Sequence, residues 1–371
     1  MLLKNVILID DTNEYNLQEV DIRIKEGIIE EIGIHLDEKN EKDSVNLSGN
    51  YVSPGWIDLH VHCFQNTTDI SVDADKVGVD QGVVMVCDAG SSGESNLEEF
   101  YHQNKDKETI VKAWINIAST GLKDRHELKD PDNVNVEKTI QRIKEYQDLI
   151  VGIKVRASAS VMGEDTQTPF DKAKEVKHKT DLPIMVHIGN FPPTIEEVLA
   201  NLDEDDVITH CFHGKPNGII SDNKIKPIVL DKRKKGVKYD VGHGQESFSY
   251  SVAKAAKGLG FDPDSISSDL HKYNIDGPVY SLANVVTKFL NLGYSLNQVI
   301  HYVTLGPAQL IKESNMGQIK VGQNATLTLF TINHQQEKLV DSMGEEINVE
   351  KIISPTYTLI NGRLRRTAHG K

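Results

Sequence analysis

Two histidines a residue apart, His60 and His62 in GWIDLHVH, form the first pattern in this chain that could do chemistry. On a β-strand that spacing turns both imidazoles to one face. Two satisfied core histidines would explain an isolated pair equally well. Burying both in apolar surroundings without partners is costly, however, and a metal ion removes that cost. His187 follows the apolar run LPIMV, and His210 follows VIT. A lone histidine in such a place is more often structural than a ligand. Asp269 follows SISS, where a buried carboxylate needs a cation or hydrogen-bond donors. Each signal alone is weak, and their joint occurrence at the ends of short apolar runs points to a metal centre.

Lys154 is the odd member of the set. It lies mid-run in IVGIKVRAS, with Ile153 and Val155 on the other face of the same strand. As an ammonium, with a reference pKa of about 10.4, it would be repelled by neighbouring dications. Carboxylation by carbon dioxide would make it a carbamate, an anion with two oxygens able to bridge two metals. The alternative is a buried lysine paired with Asp or Glu. Arg156 shares the inward face, nearer to solvent. It is read either as a bidentate clamp for a substrate carboxylate or as a partner that orients metal-bound carboxylates. His243, in GHG, is a candidate donor to the substrate or to a developing oxyanion. Its glycines suggest close backbone approach, although a turn alone would account for them. His213 reads as a loop histidine, and Cys63 and Cys211, beside candidate ligands, as core residues facing the other way.

Positioning these groups requires eight strands. The candidates are residues 55–62, 82–90, 110–119, 150–158, 182–189, 207–212, 236–244 and 265–271. Segments such as VEKTIQRIKEYQ and FSYSVAKAAKGLG, between them, carry apolar residues at helical spacing. Strands alternating with helices imply a parallel barrel, whose functional side chains gather at the C-terminal strand ends. The first and last fifty residues instead alternate apolar and polar, with Glu26-Gly27 as a hairpin turn. The expected fold is therefore α/β, a distorted (β/α)8 TIM barrel over residues 53–317. A small β-sandwich domain is expected from both termini, residues 1–52 and 318–371.

The net charge of −14 disfavours nucleic acid, since the densest basic cluster, Lys232 to Lys235, is too short to offset repulsion from phosphates. That cluster reads as a solvated loop or helix end. Three cysteines inside apolar runs argue against a disulfide framework and for a reducing compartment. With neither a signal peptide nor a membrane span legible, a cytoplasmic location is expected. Homo-oligomerisation stays open.

With these residues in view the chain resembles the amidohydrolase superfamily, of the dihydroorotase/hydantoinase type with a carboxylated lysine. Within it the chain is most similar to bacterial amidohydrolase/deacetylase metallohydrolases. VSPGWIDLHVHCF, IVGIKVRAS, MVHIGNFPP, VITHCFHGK, DVGHG and SISSDLH occur in order, and the resemblance covers nearly the whole chain. The histidine in FHG departs from it, since a neutral residue such as Asn is expected there. The resemblance implies two divalent metals, with zinc as the usual ion. His60, His62 and Asp269 would hold the more buried metal and His187 and His210 the other. An N6-carboxylated Lys154 would bridge both. Asp269 would act as general base and then acid towards a metal-bridging hydroxide. The implied reaction is hydrolysis of an amide or ester of a small substrate, and Arg156 suggests that this substrate carries a carboxylate. A dihydroorotase-like cyclic amidase and a nucleobase deaminase are the alternatives, and Lys154 counts against the second. A non-catalytic assembly protein should have lost ligands, and none is missing.

Overall fold

The computed structural model describes residues 1–38 and 43–368. Both ends of the chain meet in one sheet. The N-terminal part supplies β1 (Leu2–Leu8), β2 (Glu19–Lys25), β3 (Ile28–Gly33), β4 (Ser44–Asn46) and β5 (Tyr51–Pro54). Glu26 and Gly27 join β2 to β3 with φ of 52° and 79°. Those are the left-handed values that a tight two-residue hairpin turn demands.

The barrel strands follow: β6 (Trp56–Val61), β7 (Val83–Ala89), β8 (Ile110–Asn116), β9 (Ile150–Ala157), β10 (Ile184–Ile188) and β11 (Val207–Thr209). A two-residue hairpin, β12 (Ile220–Ser221) and β13 (Lys224–Ile225), precedes β14 (Lys238–Tyr239). The barrel order is β14-β11-β10-β9-β8-β7-β6, parallel throughout. Every residue of β6 and β7 is buried, as expected for parallel strands covered on both faces. The eighth element is not a continuous strand. Single bridges, Asp240 to Ser265 and Val61 to Leu270, close the ring on either side of it. Between them Ser265, Ser267 and Ser268 turn their hydroxyls onto Asp240 and Asp58. Asp269 then leaves the strand conformation altogether, at φ 52°.

The C-terminal segment returns as β15 (Leu327–Val340), β16 (Glu346–Ile360) and β17 (Arg363–Arg366). The end sheet runs β17-β16-β15-β5-β1-β2-β3, with β4 beside β1. Its apolar face joins Leu3, Val6, Ile22 and Val52 to Leu327, Leu329 and Leu359, so neither terminus has a core without the other. The β15–β16 hairpin is long enough to leave this sheet and reach the barrel. At its tip Asp341 accepts the amide of Tyr250 at 2.8 Å, and Ser342 donates its own amide to Phe248 at 3.1 Å.

Helices stand where periodicity places them, for example Val136–Glu145 and Tyr250–Gly258. Lys232 to Lys234 form the last turn of the helix Pro227–Lys234, where cations complement the helix dipole. The three cysteines are free and buried. Among the described residues no helix is long and apolar enough to cross a membrane.

Candidate metal centre

Residues from five barrel elements converge at the C-terminal strand ends. The Nε2 atoms of His60 and His62 lie 3.4 and 3.2 Å from Asp269 Oδ1. Potential ligand atoms of these three residues all fall within 4.8 Å of one another. The His210 ring lies 5.0 Å from that of His60 and 4.4 Å from that of His187, centroid to centroid. Lys154 Nζ sits 3.4 Å from His60 Nε2. Six of the eight residues singled out from the sequence thus form one cluster.

Hydrogen bonds set the tautomers. His210 Nδ1 lies 2.6 Å from the Gly242 carbonyl oxygen, which can only accept, so Nδ1 carries the proton. The remaining nitrogen, Nε2, is a bare lone pair, buried and without a partner among the described residues. An unpaired buried acceptor costs about 1–3 kcal/mol, which a cation would recover. His60 follows the same logic over two bonds. Thr209 gives its hydroxyl proton to Asp240 at 2.7 Å, so its oxygen accepts from His60 Nδ1 at 3.0 Å. That again leaves Nε2 free to face the centre, as a hydrogen-bonded metal-ligating histidine does. His213 has the opposite arrangement. Its Nδ1 accepts the Lys215 amide at 3.1 Å, so its Nε2 bears hydrogen and is no ligand. This donor set and the orphaned His210 nitrogen fit a divalent ion.

Burial governs the charges. It pushes His60 and His187 well below the usual imidazole range and His210 down to about 3, with Lys154 adding to the effect. These rings are neutral at pH 7, with lone pairs available. Burial pushes Asp269 up, but the hydrogen bond from His62 and the neighbouring imidazoles outweigh it, and the carboxyl settles at about 2. Burial likewise lowers Lys154 to about 7, against the pull of Asp269 and Asp240. Among the described residues Lys154 has no ion-pair partner, and its other close contact is Met185 Sδ at 3.3 Å. Among the described residues the buried Lys–carboxylate pair that would make it merely structural is not found.

The backbone is bent to bring these groups together. His210 and Asp269 adopt φ of 68° and 52°, a conformation that costs a non-glycine residue energy and clusters at functional sites. The glycines flanking His243 approach closely for a reason. A Cβ on Gly242 would lie 2.3 Å from Thr209 Oγ1, and one on Gly244 would lie 2.5 Å from Asp269 Oδ2. Gly90, at φ 87°, has the same role towards the lysine, since its Cβ would stand 2.7 Å from Lys154 Cγ. Gly90→Ala is therefore expected to displace the lysine stem and cost at least about 1–3 kcal/mol of stability from the left-handed backbone alone. Thermal unfolding together with kcat tests this. A variant matching wild type in both would show that the lysine has room to spare.

Above the cluster lies a cavity of about 240 Å³. Arg156 lines it, together with Lys123, Arg125 and His271. The Nη1 of Arg156 is held by both oxygens of Glu127, at 3.2 and 3.1 Å, and Glu127 is itself buried. Nε and Nη2 of Arg156 have no partner among the described residues. Arg156 is thus anchored by a loop carboxylate rather than by a carboxylate of the cluster. His243 requires a correction. It is fully buried and does not line the cavity. Its Nδ1 donates to the Gly244 carbonyl at 2.9 Å, and its Nε2 accepts from Lys288 at 2.8 Å. With both nitrogens committed and Phe248 stacked on its ring at 4.5 Å, it is a structural residue behind the site. Glu127, which anchors Arg156, and His271, which lines the cavity, are not among the residues that the sequence singles out. Glu127 sits in a polar loop with no periodicity to mark it, whereas His271 stands two residues beyond Asp269 and its spacing was there to be read.

Comparisons with known proteins agree with this geometry. The amidohydrolase family model matches residues 51–364. A protein named deacetylase from Enterococcus faecalis is 38% identical over 96% of this chain and 98% of its own length. A second deacetylase, from Brucella anthropi, is 36% identical over 97% of this chain and 91% of its own. A crystal structure of an adenine deaminase superposes with a TM-score of 0.93 at 37% identity, covering 99% of each chain. One of a dihydroorotase also gives 0.93, at 33% identity, covering 100% of this chain and 98% of the other.

Proposed function

The chain belongs to the amidohydrolase family, and on that premise we propose that it hydrolyses the acyl amide or ester bond of a small substrate bearing a carboxylate. In this reading His60, His62 and Asp269 would hold one divalent ion and His187 and His210 a second, and Lys154, if N6-carboxylated, would supply an anionic ligand between them. Imidazole and carboxylate donors suit zinc, though availability in the cell decides occupancy. Such ions would polarise an acyl carbonyl and make hydroxide accessible at neutral pH. The protein does the rest. Asp269, ionised at pH 7, accepts the proton of the attacking water on its carboxylate and returns it to the leaving amine or alkoxide. Lys154, with a pKa near 7, is in good part the neutral amine that carbamate formation needs.

The observation that carries the substrate class is the charge of the cavity. In a chain of net charge −14, Lys123, Arg125 and Arg156 line the cavity above the cluster, with Asp69 at its rim. Arg125 meets Asp69 only in an exposed pair at 3.4 Å, and Lys123 has no partner among the described residues. Such a mouth attracts anions. Arg156, anchored by one nitrogen, leaves two others for a carboxylate. A neutral base such as adenine gains nothing from these cations, which is the physical argument against the deaminase reading. A carboxylate-bearing cyclic amide suits them as well as an acyclic one.

The test is a panel of acylated amino and hydroxy acids, cyclic amides and their methyl esters, assayed with wild type, Arg156→Met and Arg156→Lys. Arg156→Met should cost about 1.5–3 kcal/mol in kcat/KM for the acids and little for the neutral esters. Arg156→Lys keeps the charge that Glu127 needs but loses the fork, and should fall between. Equal losses on charged and neutral substrates would remove the carboxylate preference.

A further inference from the structure

We infer that His271 is a substrate-contacting residue whose Nε2–H donates a hydrogen bond to the acyl oxygen. The inference rests on the hydrolase reading above. His271 lines the cavity, and its ring centroid lies 6.4 Å from that of His62. Its tautomer is the reverse of that found at His60 and His210. The backbone amide of Tyr273 points at His271 Nδ1 from 3.2 Å. An amide N–H can only donate, so Nδ1 is bare, the ring is neutral and the proton is on Nε2. That N–H has no acceptor among the described residues. His60 and His210 present lone pairs to the centre, whereas His271 presents a donor. It is built to meet an oxygen rather than a metal.

Its placement is as deliberate as its tautomer. Asn274, fully buried, accepts the His271 amide at 2.9 Å and donates to the Asp269 carbonyl at 2.7 Å. One side chain therefore ties together, in a single turn, the backbone that carries the proton-accepting carboxylate and the backbone that carries the imidazole donor. Barrel order supplies the rest of the argument. Arg156 ends β9, the fourth barrel strand, while His271 follows the eighth element, and in an eight-membered ring these lie on opposite sides of the mouth. A substrate whose carboxylate lies against Arg156 extends its acyl end towards His271. A fixed donor there acts on the oxygen where charge develops, so its effect belongs in kcat.

Three variants separate this role from its rivals. Gln places an amide N–H near the Nε2 position, whereas Asn reaches only the Nδ1 position and Ala reaches neither. His271→Asn and His271→Ala should lose about 10²-fold in kcat, the low end for loss of an oxyanion donor, with KM and metal content close to wild type. His271→Gln should recover at least about tenfold of that loss. Wild-type kcat in His271→Asn, or equal losses in the Gln and Asn variants, would overturn the inference. So would loss of metal from all three. An activity-independent readout accompanies the kinetics. Histidine ¹⁵N NMR of the zinc-loaded protein, with the signal assigned by its disappearance in His271→Asn, should show the Nε2–H tautomer. An Nδ1–H tautomer would overturn the inference whether or not the substrate class is right. A wild type inactive on every acylated compound would instead count against the hydrolase reading, leaving the NMR result to decide His271.

Discussion

Lys154→Ala is expected to leave a folded barrel that binds little metal and turns over at least about 10³-fold more slowly than wild type. The argument is electrostatic. The Lys154 side chain is buried at 1% exposure and adjoins His60, and no carboxylate pairs with it among the described residues. Kept as an ammonium, it would lack a carboxylate partner and repel the divalent ions that the neighbouring lone pairs would bind. As a neutral amine it can attack carbon dioxide, forming an N–C bond and releasing a proton, which leaves an anion where the histidine lone pairs converge. Alanine removes that anion and opens a space of lysine size. Short carboxylic acids such as acetate should enter it and restore part of both metal content and kcat, whereas chloride should not. Metal analysis and kcat on protein prepared without chelator check this. A crystal structure of wild type with two ions bound and an unmodified ammonium would defeat the bridging role, even if the other ligands stood as proposed.

The site was legible for a reason that does not extend to the whole molecule. Period-two alternation fixes which strand residues face inward, and a parallel barrel fixes which strand ends carry function. His60, His62, Lys154, His187 and His210 could therefore be placed on inward-facing strand positions from spacing, whereas their ligand roles came only from the family resemblance. The same logic misled at His243. Position at a strand end says that a side chain faces the barrel's upper end, but not whether a buried lysine from the distant helix Leu282–Asn291 already occupies it. Glu127 was invisible for a related reason. It acts from a loop, and its burial depends on a pairing with Arg156, 29 positions away, that no local pattern encodes. The eighth element, too, was read as a strand from SISSD. Its serines bond to Asp240 and Asp58 instead, so the ring closes through side chains and single bridges. The alternation of the last fifty residues pointed to strands, but the length of the β15–β16 hairpin and its reach to Phe248 and Tyr250 are set by packing rather than by composition.

Asp269→Asn is expected to lower kcat by about 10³–10⁴-fold while the fold survives, general acid–base groups contributing up to about 10⁴-fold. The substitution is chosen for its conservatism. Asn tolerates the left-handed backbone at φ 52°, and its volume leaves Gly244 undisturbed, so the melting temperature should stay within a few degrees of wild type. Its chemistry, by contrast, is inverted. The carboxylate, held at a pKa of about 2 despite its burial, accepts at every lone pair. The amide has one accepting oxygen and an NH₂ that can take no proton from water. Asn can still offer that oxygen as a neutral ligand beside His60 and His62, so metal should be retained, though more weakly. This asymmetry separates the two duties assigned to Asp269. Retained metal with lost kcat marks it as the proton carrier, and parallel loss of both marks it mainly as a ligand. A variant that keeps kcat within tenfold of wild type, at full metal loading, would show that the proton travels through another group. The barrel mouth would then need a different base, and His271, a donor in its resting tautomer, could not serve without first giving up its Nε2 proton.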